Sequence, residues 1–142
     1  MPVAVKRVYE KAARQDGTRV LVDRLWPRGL TKEAAAVDRW LKDLAPSDEL
    51  RKWFHAQPKG WVTFRKRYLK ELARPEAAGA LHELYELANG RKRLTLLFGS
   101  RNEEHNNAMV LRDLIEGMRK PPTGTGPARA AGQRKVRQMP RR

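Results

Sequence analysis

The 142-residue chain has no cysteine. Disulfides, thiolate metal sites and cysteine nucleophiles are therefore excluded, and the composition fits a reducing compartment. Aromatic residues make up 7 % of the chain, and 16 acidic residues face 31 Lys and Arg. No segment approaches the roughly 20 apolar residues of a membrane span. The opening MPVAVKRVYE is charged by its sixth residue and has no apolar run of signal-peptide length. A cytoplasmic, soluble protein without a membrane partner is expected. The three histidines show no metal-ligand spacing, so no protein-built metal site is expected. The glycine-rich phosphate loop, the nucleophile elbow and HExxH are all missing. Neither a cofactor nor an enzyme class follows from these residues.

What is present in excess is positive charge, formally +15. Eight of these charges (Arg119, Lys120, Arg129, Arg134, Lys135, Arg137, Arg141 and Arg142) fall in residues 119–142, which hold no acidic residue. That stretch, RKPPTGTGPARAAGQRKVRQMPRR, is rich in Pro and Gly and nearly free of large apolar groups. It cannot bury enough surface to offset the entropy of ordering, and it reads as a basic disordered tail. Residues 1–118, with 23 basic and 16 acidic residues, read as a single globular domain.

Strand character appears at Val3–Tyr9, at Arg19–Val22 and in the near-continuous apolar run Leu94–Phe98, a pattern suited to a sheet covered on both sides. About eight residues separate the first two runs, too few for the usual parallel crossover, so this pair is expected to be antiparallel or non-adjacent. Thr31 can cap a short helix. Residues 37–44 fit helical and strand spacing alike, with strand favoured. Helices are then predicted from Pro46-Ser47, from near Pro58 and from Pro75 to about Ala88, and a last one follows residue 102 with Asn102 as its cap. The expected fold is α/β or α+β, a small mixed, partly parallel sheet of about three to four strands covered by about four to five helices.

In such sheets ligands lie outside the carboxyl ends of the strands. Two of these ends are unusually polar, DRLWPRG at 23–29 and SRNEEHNN at 100–107. If their strands are neighbours, the two loops meet. Arg24, Arg28 and Arg101 would then hold an anionic small molecule beside a helix N-terminus, with Trp26, Ser100, Asn106 and Asn107 orienting it. Asp23 and His105 would serve as an acid/base pair if chemistry occurs. The plainer alternative makes 23–29 a structural loop, with Trp26 and Pro27 packed on the core and His105 merely part of a cap. The stripe Trp61, Phe64 and Tyr68 reads as a buried helix face. A nucleic-acid-associated protein, using the basic tail with Arg65, Lys66 and Arg67 on phosphates, is the alternative function.

The residues RVLVDRLWPRGLTKEAAAVDRWLKDLAPSDELRKWF, then Trp61, Phe64 and Tyr68, then LTLLFGSRNEEHNNAMVL, resemble the short, YeaO-like form of a bacterial conserved domain of unknown function, DUF 488. The resemblance spans about residues 3 to 118. It implies a small α/β domain with no established activity, substrate or cofactor. Longer relatives carry Asp-x-Arg after a strand and a Cys-His-Arg cluster after the last strand. Asp23-Arg24 stands near the first of these, while His105-Asn106-Asn107 replaces the second without cysteine, so thiol chemistry does not carry over.

Overall fold

The computed structural model describes residues 2–119. Its sheet has four strands: β1 (Ala4–Arg7), β2 (Thr18–Leu21), β3 (Arg39–Trp40) and β4 (Leu94–Phe98). They lie in the order β1-β4-β2-β3, with every pairing parallel. All five residues of β4 are buried, because a central strand covered on both faces has no polar side to offer. β1 and β2 are indeed not neighbours. Both run parallel to β4, which separates them, and the short link between them bridges that strand with only a 3-10 turn at Arg14–Asp16. Residues 37–44, ambiguous by periodicity, resolve into the two-residue β3 and a 3-10 turn at Lys42–Leu44.

The helices are α1 (Lys32–Ala35), α2 (Asp48–Ala56), α3 (Trp61–Leu72), α4 (Pro75–Ala88) and α5 (Asn107–Gly117). On one face of the sheet, Val20, Val22, Leu94, Leu96 and Phe98 pack with Leu50, Phe64, Tyr68, Leu72, Leu84, Leu111 and Ile115 from α2 to α5. The other face is thinner: Val8, Leu21, Leu97 and Ala35 form a second cluster under Trp26, Leu30, Val37 and Trp40. Trp26 and Trp40 meet edge to face at 5.4 Å, and pairs of this kind add about 0.5–1.5 kcal/mol beyond area burial.

Local chemistry fixes the ends of these elements. Thr31 caps α1 by accepting from the Ala34 N–H, and Ser47 caps α2 by accepting from the Leu50 N–H. Ala36, after α1, takes the left-handed conformation at φ 49, which L side chains disfavour. The buried Arg19 holds it there, its Nε donating to the Ala36 carbonyl (3.0 Å) and an Nη to the Ala35 carbonyl (2.7 Å). A third nitrogen of Arg19 pairs with Asp16 at 2.6 Å. Among the described residues, no helix is long and apolar enough to cross a membrane. The predicted basic tail lies outside the described residues except for Arg119, which is exposed.

Candidate functional site

Because β2 and β4 are neighbours, the loops that leave them do meet, and Asp23 is where they meet. One carboxylate oxygen accepts from the Gly99 N–H (2.8 Å) and the other from the Asn107 side-chain amide (3.0 Å). The same Asn107 nitrogen donates to the Val22 carbonyl (3.0 Å), and the Trp40 indole donates to the Asp23 carbonyl (2.8 Å). One residue thus ties the ends of β2, β3 and β4 to the first turn of α5. Burial pushes the Asp23 carboxyl above its ordinary 3.8, against the lowering pull of the Asn107 and Gly99 hydrogen bonds and of the Arg51 charge. The anion favoured at this helix terminus is supplied by the protein itself.

The remaining predicted residues divide into engaged and free groups. Asn106, rather than Asn102, is the cap of α5: its oxygen accepts from the Met109 N–H and its amide donates to the Asn102 carbonyl. Asn102 instead turns the preceding loop, accepting from the Glu104 and His105 N–H groups. This corrects the expected helix start. Glu103 and Glu104 precede α5, whose first turn has no acidic residue, because two asparagines four apart offer equivalent caps and packing of Asn107 under β2 selects the later one. The His105 ring stacks on Trp61 at 4.6 Å and 11°, and makes no hydrogen bond to Asp23. The Trp26 indole donates to the Leu30 carbonyl, closing its own loop. By contrast Arg24, Arg28, Ser100 and Arg101 are exposed. Arg24 donates to the Pro46 carbonyl at 3.4 Å, and among the described residues none of these three arginines pairs with a carboxylate.

Residues missed by the sequence reading complete the rim. Tyr9, beyond β1, donates its hydroxyl to the Arg28 carbonyl (3.0 Å) and so arches across the end of β4. Arg7 donates to the Ser100 and Gly99 carbonyls and lies 5.0 Å from the centre of the Tyr9 ring. Gly99 is hemmed in, since a Cβ there would stand 3.2 Å from Asp23 Oδ2 and 3.9 Å from the Tyr9 ring. Beneath, the fully buried Tyr68 donates to the Leu44 carbonyl; burial, with the Asp23 and Glu71 charges, raises its hydroxyl well above 10.0. The sequence reading places Tyr9 at the end of the first strand, whereas β1 stops at Arg7 and leaves Tyr9 in the loop beyond it. Among the described residues, no group of three or more His, Asp or Glu is placed to hold a metal ion. A groove of about 410 Å³ runs beside β1 and reaches the 100–107 loop, lined by Val3, Val5, Phe98, Glu103, Met109 and Arg112.

A parallel α/β protein with a closed polar junction at its carboxyl strand ends, and no thiol there, is the class that this geometry defines. Residues 2–128 match the family model described as the inactive DUF488-N3 subclade, and the chain belongs to that family. The uncharacterized protein YeaO of Escherichia coli K12 is 45 % identical over 118 residues, covering 83 % of this chain and 100 % of its own length. The uncharacterized proteins Mb3100c of Mycobacterium bovis and Rv3073c of Mycobacterium tuberculosis H37Rv are each 44 % identical over 115 residues, covering 81 % of this chain and 94 % of theirs. No solved structure matches the chain.

Proposed function

We propose that this protein binds a small anion, a carboxylate or phosphate ester, at its strand ends without transforming it. The observation that carries this reading is the set Arg24, Arg28 and Arg101, exposed on adjoining strand-end loops and unpaired with carboxylates among the described residues. Guanidinium groups in such numbers favour a bidentate oxyanion ligand, with the Ser100 hydroxyl as a further donor. Both Asp23 oxygens are committed to internal donors and His105 is stacked on Trp61, so the two groups suited to proton transfer serve the scaffold. The description of the family as an inactive subclade agrees with a role in binding. Asn106 and Asn107 spend their amides on the α5 cap and on Asp23, which leaves the arginines to do the recognising.

The test is a thermal-shift screen of the full chain against carboxylates, phosphorylated metabolites and nucleotides, with Arg24→Ala and Arg101→Ala alongside. A ligand at about 100 times its Kd adds roughly 2.7 kcal/mol, enough to raise the melting temperature by several degrees. The reading requires a hit that weakens in both variants. A hit that neither variant affects, or turnover of the bound compound, would overturn it.

A further inference from the structure

We infer that the exposed face of the α2–α3 hairpin is a docking surface for nucleic acid, held through the phosphodiester backbone and not through base sequence. The hairpin, residues 48–72, contains seven Lys and Arg and three acidic residues, Asp48, Glu49 and Glu71. Residues 1–118 as a whole have an excess of seven basic residues, and this hairpin carries four of them, the rest standing at 16 against 13. The structure makes the asymmetry sharper. Glu71 is turned inward, its carboxylate accepting from the Ser47 N–H (2.8 Å) and the Ser47 hydroxyl (2.6 Å). Phe64, Tyr68 and Leu72 take α3's buried face, which leaves Arg65, Lys66, Arg67 and Lys70 exposed. None of these four meets a carboxylate among the described residues, and on α2 one residue, Asp48, serves both Arg51 and Lys52.

Like charges on neighbouring helical turns repel, so an isolated protein gains nothing from this arrangement. A polyanion turns the same repulsion into attraction and releases its own counterions. At 12 residues α3 is about 18 Å long, and duplex DNA presents about one charge per 1.7 Å, so several phosphates lie within reach of the row. The face lacks the features that other partners need. Val62, 65 % exposed, is its one exposed large apolar residue among those described, which leaves nothing to insert into a membrane and no aromatic anchor for a protein interface. Arg67 lies over the Trp53 ring at 5.2 Å, which holds that guanidinium against the surface.

The full chain is titrated onto a labelled DNA duplex of about 20 base pairs, read by fluorescence anisotropy over a series of salt concentrations. Two triple variants are compared: Arg65→Ala/Lys66→Ala/Lys70→Ala on the hairpin, and Arg91→Ala/Lys92→Ala/Arg93→Ala on the exposed loop before β4. Both remove the same charge, and alanine favours the helix, so folding is kept and is checked by circular dichroism. The hairpin triple should weaken binding by about tenfold or more and flatten the salt slope by about 2 to 3, with the loop triple changing affinity by under about threefold and a second duplex sequence binding equally. Equal losses in the two triples would reduce the effect to diffuse charge. An unaffected hairpin triple would move binding to residues 119–142, and absence of binding by the parent at low salt would remove it. Polyglutamate competing as well as DNA at equal charge would reassign the face to acidic polypeptides. Any of these four results overturns the inference.

Discussion

If Asp23 is a tie within the scaffold, replacing it costs stability, and the size of that cost can be worked out. Asp23→Ala removes the acceptor of the Gly99 N–H and of one Asn107 amide proton, while Asn107 keeps its bond to the Val22 carbonyl. An orphaned buried donor costs about 1–3 kcal/mol, so two of them set an upper range of about 2–6 kcal/mol. Gly99 is only half-buried, so water can replace part of its lost bond. The raised carboxyl shows that burying this charge is itself unfavourable, and its removal refunds some of the loss. A net loss of about 2 kcal/mol follows, which lowers the melting temperature of a chain this size by roughly 6–10 °C. Urea denaturation supplies the free energy and calorimetry the melting point. Exposed Arg24→Ala is the reference, expected within about 0.5 kcal/mol of the parent. If Asp23→Ala unfolds like the parent, or Arg24→Ala costs more, the carboxylate is not the tie described above.

Carbon-detected NMR titration should find the two buried aspartates on opposite sides of 3.8. Asp23 lies above it because of burial; Asp16 lies below, since burial raises it but hydrogen bonds from the Ala13 N–H, Lys6 and Arg19 outweigh that effect. The signs for stability are opposite: the Asp23 contribution is present in acid and lost as pH rises through its folded value, while that of Asp16 is present above 3.8 and lost as pH falls through its folded value. The reverse order of the two titrations would refute both assignments. Gly17→Ala should destabilise by about 2 kcal/mol or more in urea, because φ is +68 and the new Cβ would stand 2.2 Å from the Arg93 carbonyl oxygen; a neutral outcome would mean that the turn is free to relax. His105→Ala should cost about 0.5–1.5 kcal/mol and change the Trp61 fluorescence, and an unchanged spectrum would show that the stack does not persist in solution.

What the sequence disclosed depended on range. β4 announced itself because a near-continuous apolar run, four of five residues with Thr95 between them, has one common use, burial on both faces. Ser47 and Pro75 marked helix starts through chemistry confined to a few residues. The spacing between β1 and β2 forbade direct parallel pairing, yet nothing local revealed that a strand from residue 94 onward fills the gap between them. The candidate site followed the same division. That loops 23–29 and 100–107 are polar strand ends was legible, as was the fact that they would meet if their strands paired. That Asp23 spends its carboxylate on Gly99 and Asn107, 76 and 84 residues away, was not, because periodicity carries no information about partners so distant. The asparagine cap failed for a different reason. Asn102 and Asn106 are chemically equal candidates, and only the seating of Asn107 against Val22 decides between them.

The place of β4 also imposes an order of events on folding. Ala4 lies beside Thr95 and Thr18 beside Leu94, so neither β1 nor β2 has its central sheet neighbour until the chain has been synthesised almost to the start of α5. Pairing across some 90 residues is slow to find, because the loop must close before any contact rewards it. A nascent chain ending before residue 94 would therefore display Val20, Leu21 and Val22 as an uncovered strand, and that is the window in which this protein would need shielding from its neighbours.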